Sequence, residues 1–403
     1  MERIERKQYL EWLLRWREKG IIKVVSGVRR CGKSTLFDIY RDYLLQNGIE
    51  HRQIIAINFE DIDYEHLTDY RTLYDYIKPL LLSGKMTYIF LDEIQLVTNF
   101  EKAVDSLFIK PNTDIYITGS NAYFMSGELA TLLSGRYVEL KMLPLSFREF
   151  RTGLQYTDYT KEQCFNKYLE LGSFPYILRF RQEEKEAGEY LKDIYNTVLL
   201  KDIVARLKIQ DVTSLENVTK FLLYNIGNRV SSSKIANTMK SAGKGVDQKT
   251  VDKYLRSLTD ALLLYEARRY NIKGKQYLTT QSKYYAVDTA LRNTLVKAKD
   301  SDIGHILENI VYLELVRRGY DVFVGELEGG EVDFVAVSPG EICYYQVAAS
   351  TLDENTLHRE LSPLKKIPDN YPKFLLTLDV IFGTANYEGI RKINAIDWLL
   401  NEM

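Results

Sequence analysis

Gly27-Val28-Arg29-Arg30-Cys31-Gly32-Lys33-Ser34-Thr35 decides how this chain is read. The stretch satisfies G-x-x-x-x-G-K-[ST], the phosphate-binding P-loop. A pattern this short recurs by chance, so its flanks carry the weight. Ile21-Ile22-Lys23-Val24-Val25 reads as a short buried strand rich in β-branched residues. Leu36 to Leu45 reads as a helix, with Leu36, Phe37, Tyr40, Tyr43 and Leu44 at three- and four-residue steps. Strand, glycine loop and helix form the context the motif requires. Gly27 and Gly32 let backbone N–H groups close on phosphate oxygens. The helix points its positive end at the same anion. Lys33 offers a point charge to the β- and γ-phosphates, and Ser34 a hydroxyl to Mg²⁺, which takes octahedral oxygen ligands. The bland alternative is a glycine-rich strand-to-helix turn carrying a surface lysine.

The second signal lies downstream. Tyr88-Ile89-Phe90-Leu91-Asp92-Glu93 is a buried strand ending in two carboxylates. In a P-loop protein the first acid at such a strand end holds Mg²⁺, here Asp92. The second, Glu93, is placed to orient or deprotonate the attacking water. Ile54 to Asp61 reads as another strand and Tyr70 to Leu82 as a helix. Asp114 to Asn121 is a further strand ending in small polar groups. Ligands collect at the carboxyl ends of parallel strands, so Asn121 or Ser120 is a candidate for the γ-phosphate or its water. Local turn capping accounts for the pair equally well. Arg136, in Leu133-Ser134-Gly135-Arg136-Tyr137, is a candidate arginine finger acting from a neighbouring subunit; a surface arginine paired with an acid is the alternative.

Composition excludes several classes. At 403 residues the chain exceeds a single typical core and suggests two to four domains. A net charge of -1 gives no global case for nucleic acid. Cys31, Cys164 and Cys343 are too few and too scattered for a disulfide framework, which fits a reducing cytoplasm. His51, His66, His305 and His358 show no metal-ligand spacing. No apolar run approaches membrane-spanning length, and the first residues are too charged for a signal peptide. The expected location is cytoplasmic, without membrane contact.

Taken together, the P-loop, Asp92-Glu93, Thr118-Gly119-Ser120-Asn121, Ser134-Gly135-Arg136 and Pro144-Leu145-Ser146-Phe147 resemble the AAA-type ATPases of bacteria and archaea. More narrowly they resemble the group that carries a C-terminal domain of unknown function. That resemblance implies ATP and Mg²⁺ as ligands, Lys33 and Ser34 on phosphate and metal, Asp92 as metal acid and Glu93 as hydrolytic base. It also implies Asn121 as a first sensor, Arg136 as an arginine acting in trans, and Asn58 as a residue holding Glu93 inactive. In related regulatory ATPases a Gly-x-Pro stretch leans on the nucleotide. That makes Pro175, in Gly172-Ser173-Phe174-Pro175, a candidate for base contact; proline punctuation of a helix is the alternative.

The expected organisation is α/β. A P-loop NTPase core with a parallel sheet spans 1–150, a helical lid 151–228, a winged helix 229–300, and a C-terminal α/β domain 301–403. Tyr190 to Lys208 reads as a long helix with a solvated surface, where Lys201, Asp202 and Arg206 could also reach a neighbouring subunit. Residues 229–284 carry 12 basic and 4 acidic side chains, a local excess that makes DNA contact plausible. Ser231 would cap one helix, and Gln248 to Leu258 would form the recognition helix with Lys249, Lys253 and Arg256 outward. A hairpin would follow over Asn271–Lys275. A winged helix used only for packing is the alternative. The C-terminal order of elements resembles the restriction-endonuclease-like fold, with Glu308 as helix acid and Asp333 as strand acid. Where that signature has acid-x-lysine this chain has Gln346-Val347-Ala348, so one anionic ligand and one amine are missing. The expectation is a retained fold without cleavage. Three functions stay open: an ATP hydrolase that relays nucleotide state to DNA or a protein partner, with a homo-oligomer as its candidate assembly; a slow nucleotide-gated switch or scaffold holding ATP or ADP; and an ATP-dependent nuclease.

Overall fold

A computed structural model describes residues 3–120, 133, 135–154, 159–180, 183–296 and 303–402. The chain divides into two compact units, Met1–Pro144 with Asp260–Leu262, and Leu145–Thr259 with Leu263–Met403.

In the first unit, β1 (Ile22–Gly27), β2 (Ile54–Asn58), β3 (Thr87–Asp92), β4 (Thr113–Ser120) and β5 (Tyr137–Met142) form one sheet in the order β2-β3-β4-β1-β5. Every pairing is parallel, so all five carboxyl ends share one edge. Strands β1 and β3 are buried along their whole length, as inner strands of a parallel sheet are. Helix α1 spans Lys7–Trp16, α2 Lys33–Gln46, α3 Tyr70–Ile77 and α4 Phe100–Phe108. The expected helix to Leu82 ends early: Lys78–Leu80 tightens into a 3₁₀ turn around Pro79, which has no N–H to extend the ladder. Helix α2 is fixed by Leu36, Phe37, Tyr40 and Leu44, all buried. Phe37 and Tyr40 meet Phe90 of β3 edge-on at 5.2 and 5.9 Å, and Phe90 stacks on Tyr116 of β4 at 4.8 Å. Each such side chain contributes about 1.5–3 kcal/mol of burial, and the cluster pins the helix that follows the phosphate loop. Lys23 looks out of place inside β1. It is fully buried and ion-paired to Asp114 at the start of β4, with its ammonium 4.3 Å from the Tyr116 ring.

The second unit holds a mixed nine-stranded sheet among its described residues. It contains β6 (Arg229–Val230), β7 (Leu264–Asn271), β8 (Gln276–Ala286), β9 (Asp321–Leu327), β10 (Gly330–Ser338), β11 (Glu341–Ala348), β12 (Lys373–Thr377), β13 (Ala385–Tyr387) and β14 (Ile390–Asn394). Their order is β13-β14-β12-β11-β10-β9-β7-β8-β6. The hairpin expected over Asn271–Lys275 is present as β7 and β8. It does not stand apart as a wing, because β7 pairs in parallel with β9. One sheet therefore spans residues read from sequence as two domains. The helix Ile303–Arg317 is buried on most of its surface, including Glu308, Asn309 and Glu314. Ser231 caps Ser232–Ser241, its hydroxyl accepting from the Lys234 N–H at 3.2 Å. Tyr190 to Lys208 is solvated on one face only, where Lys192, Asp193, Lys201 and Lys208 are exposed. The helix Glu184–Thr197 continues into π-helical turns at Val198–Ala205, and Leu191, Ile194, Val198, Leu199, Asp202 and Ile203 are buried. The apolar steps along this segment outweigh its alternating charges. Pro175 opens a 3₁₀ turn, Pro175–Arg179, in the role of helix punctuation.

Candidate functional site

The phosphate loop leaves the carboxyl end of β1 and enters α2. Gly32 takes φ 103° and Arg30 φ 69°, so the loop turns through left-handed backbone twice within three residues. Gly27 is required for another reason. A Cβ there would stand 2.5 Å from the Met142 carbonyl oxygen and 2.8 Å from Cys31 Sγ. Arg6 clamps the loop from behind: its buried guanidinium donates to the Cys31 carbonyl at 3.1 Å and the Leu143 carbonyl at 2.6 Å. Cys31 is fully buried, which raises its thiol pKa and leaves it a packing residue. Val28 is buried beside it, Arg29 donates to Glu60 at 3.0 Å, and Ser34 and Thr35 are exposed at the mouth of the loop.

Strand β4 separates β1 from β3, yet the two signals converge. The Lys33 ammonium lies 3.2 Å from the Gly27 carbonyl oxygen and 3.8 Å from Glu93 Oε1, with both side chains buried. The Ser34 hydroxyl stands near enough to the Asp92 carboxylate to favour its charged form. Burial raises the Asp92 pKa, and the hydroxyls of Ser34 and Thr118 oppose that rise. Lys33, Ser34, Asp92 and Glu93 thus lie together at the carboxyl edge of the sheet.

Two residues around this site, Thr118 and Gln95, were given no task by the sequence. Thr118 is fully buried on the intervening strand. Its hydroxyl donates to Asp92 and accepts from the Glu93 N–H at 3.0 Å, so one side chain sets the spacing of both acids. Glu93 sits at φ 55°, a costly backbone for a non-glycine residue. Gln95, two residues on, donates to the Glu93 carboxylate. Its place was expected to be filled by Asn58. The Asn58 Oδ1 instead accepts from the Glu60 N–H at 3.0 Å, and the described hydrogen bonds do not join it to Glu93. The signal for Thr118 was present as a polar residue in a buried strand; for Gln95 there was none beyond proximity in sequence.

Asn121 and Ser134 lie outside the described residues. Arg136 is exposed at the opposite end of the sheet, where its carbonyl accepts from the Ile22 N–H at 2.9 Å. The length of β1 sets it about 17 Å from its own phosphate loop.

In the second unit, Lys249, Lys253 and Arg256 are exposed on the helix Gln248–Asp260, whose other face buries Val251, Tyr254, Leu255 and Leu258. Glu308 and Asp333 also meet, but around a cation the sequence did not announce. The Lys283 ammonium, from β8, lies 2.8 Å from Glu308, 2.7 Å from Glu331 and 3.6 Å from Asp333. Asp333 falls where the β9–β10 register shifts, a bulge that re-aims side chains. Burial would raise Glu308, yet Lys283, His305 and Tyr285 hold its carboxyl at about 2. Burial, with the negative charge of Glu308, pushes Asp333 up to about 8. Gln346 accepts from the Asp333 N–H at 3.3 Å and donates to Glu360 at 2.8 Å, while Ala348 adds no polar group. Among the described residues no group of three or more His, Cys, Asp or Glu is arranged to hold a metal ion.

Residues 19–151 match the AAA domain family, and 162–302 match a domain of unknown function, DUF8612. An uncharacterized protein of Haemophilus influenzae is 42% identical over 400 residues, 98% of each chain. The uncharacterized protein MJ1544 of Methanocaldococcus jannaschii is 30% identical over 396 residues, 93% of this chain and 85% of that one. The chain belongs to one family with these two proteins. In this member the AAA domain covers the whole five-stranded sheet and the phosphate loop. The domain of unknown function follows the AAA domain, as the resemblance implies, and spans 162–302. Among solved structures, the Walker-type ATPase PABY2304 of Pyrococcus abyssi superposes with a TM-score of 0.47 at 17% identity, covering 72% of this chain and 94% of that one. No helix among the described residues is long and apolar enough to cross a membrane.

Proposed function

We propose that the AAA domain binds ATP with Mg²⁺ at Gly27–Thr35 and hydrolyses it. The carrying observation is the convergence of Lys33, Ser34, Asp92 and Glu93 at the carboxyl edge of a parallel sheet. The Ser34 hydroxyl and the Asp92 carboxylate are neighbouring hard oxygen donors, a set that suits Mg²⁺ and would hold it. The ion, when bound, supplies charge neutralisation at the phosphates. Lys33 is positioned to leave the Gly27 carbonyl for phosphate oxygens. Glu93 would take the proton of a water whose oxygen bonds to the γ-phosphorus. The bond from that phosphorus to the bridging oxygen breaks, and its electron pair leaves on ADP. Catalysis of this kind is mostly positioning. Arg136 lies too far from its own loop to act there, so a contribution from it requires a second copy of the chain, and with it a homo-oligomer.

The exposed Lys249, Lys253 and Arg256 support DNA as the partner that reads the nucleotide state, and a protein partner is the alternative use of that face. A slower reading, a nucleotide-gated switch, is favoured by one observation: both Glu93 oxygens are engaged, one near Lys33 and one by Gln95. Cleavage of DNA by 301–403 is not proposed, because Gln346 offers no anionic metal ligand and the Lys283 ammonium fills the space between the carboxylates that a metal would take. The fold of that segment is proposed to be restriction-endonuclease-like without activity. The test of the ATPase reading is Glu93→Gln. The variant should bind ATP as the parent does and lose at least about a hundredfold in turnover. Turnover at the parental rate would refute Glu93 as base.

A further inference from the structure

We infer that Gln95 is a second contact for the attacking water, working with Glu93, an assignment that rests on the ATPase reading above. Its carboxamide has two ends in unlike situations. The Nε2 end donates to the Glu93 carboxylate. The Oε1 end is buried and, among the described residues, has no hydrogen-bond partner. A buried carbonyl acceptor is normally satisfied, and this one stands beside the proposed base.

The local backbone explains how Gln95 arrives there. Glu93 at φ 55° starts a 3₁₀ turn, Ile94–Leu96, closed by the Leu96 N–H on the Glu93 carbonyl at 3.1 Å. Ile94 is fully buried and anchors the turn. A tight turn brings the side chain of the second residue back over the first, so Gln95 faces Glu93 instead of solvent. The Glu93 N–H is held by Thr118, which leaves this geometry little freedom.

Two hydrogen-bonding tasks then fall to one amide. The N–H end fixes the rotamer of Glu93. The carbonyl end accepts the hydrogen of the water that Glu93 does not take. Water that donates both hydrogens to fixed acceptors keeps its lone pairs free, one of them directed at the γ-phosphorus, and a glutamine performs such orientation in other phosphoryl-transfer enzymes. The proton still goes to Glu93 and the electron pair still leaves on ADP; Gln95 changes neither.

The test is steady-state hydrolysis by full-length Gln95→Met, which keeps length and volume and removes both polar ends. The expected result is a kcat lower by roughly ten- to a hundredfold, with the KM for ATP and the affinity for a fluorescent ATP analogue unchanged. Combined with Glu93→Gln, the substitution should cost nothing more, because both residues act on one water. A kcat within twofold of the parent, or losses that multiply in the double variant, would overturn the assignment. If Gln95→Met melts early, Gln95→Leu carries the same comparison. A parent protein that binds the analogue but does not turn over would overturn the water contact while leaving nucleotide binding intact; one that binds no analogue removes both.

Discussion

Lys283→Met should destabilise the second unit by about 3–5 kcal/mol at pH 8, the range for stripping one partner from a buried ion pair. The magnitude follows from what the ammonium touches. It is 4% exposed and lies within 3 Å of Glu308 and Glu331, with Asp333 next nearest. Arg229 shields only the far oxygen of Glu331. Methionine fills the space and returns no charge. The loss should depend on pH with a defined sign. Glu308 at about 2 lies below its unfolded value of roughly 4.3. Its contribution is therefore present above that pH and lost as pH falls toward 2. Asp333 at about 8 lies above its unfolded value of roughly 3.9. The folded chain keeps that proton where the unfolded chain has lost it, so stability falls as pH rises between about 4 and 8. Removing Lys283 moves both carboxyls upward and steepens that fall, so the variant loses more at pH 8 than at pH 5. Tryptophan offers a clean assay. Of the three tryptophans, Trp12 and Trp16 lie in α1 of the first unit, whereas Trp398 is buried in the second, 5.7 Å from Tyr345. In a Trp12→Phe/Trp16→Phe background, Trp398 fluorescence in urea reports the second unit alone. For a unit of this size the change corresponds to a melting shift of about 6–20 °C. A loss below about 1 kcal/mol, or one equal at both pH values, would refute the reasoning.

Other expectations are direct. Thr118→Val keeps shape but strands the Glu93 N–H and one Asp92 oxygen; it should cost about 2–4 kcal/mol in the first unit and reduce turnover, and Thr118→Ser should restore most of both. Gly27→Ala forces its methyl into the Met142 carbonyl and should weaken ATP binding at least about tenfold. Gly188→Ala, whose Cβ meets nothing nearer than the Thr294 hydroxyl at 3.8 Å, should leave binding unchanged. If the second unit binds duplex DNA, replacing Lys249, Lys253 and Arg256 with alanine should lower the slope of log affinity against log salt by up to about 3, as read by anisotropy titrations; an unchanged slope would point to a protein partner for that face.

What the sequence made legible was local. The P-loop showed itself because its strand, glycines and helix are contiguous, and Asp92-Glu93 because a buried strand ending in acids is a short pattern. What stayed hidden depends on strands meeting. Nothing linear says that β4 lies between β1 and β3, so Thr118 could be quoted in a strand end but not given a task. Asn58 was assigned by resemblance to a position that Gln95 occupies through a tight turn. Lys283 is 25 residues from Glu308 and far from Gln346-Val347-Ala348, where an amine was sought and found missing. The hairpin was visible, but its parallel pairing with β9, more than fifty residues on, was not.

The central claim is that the first unit holds a nucleotide through Lys33. Titrating the full-length protein with a fluorescent ATP analogue in Mg²⁺, beside Lys33→Ala, tests it most directly. The parent should bind saturably and the variant should lose roughly ten- to a hundredfold in affinity, the cost of one charge-assisted contact. Equal affinity in the two proteins, or no binding by either, would contradict it.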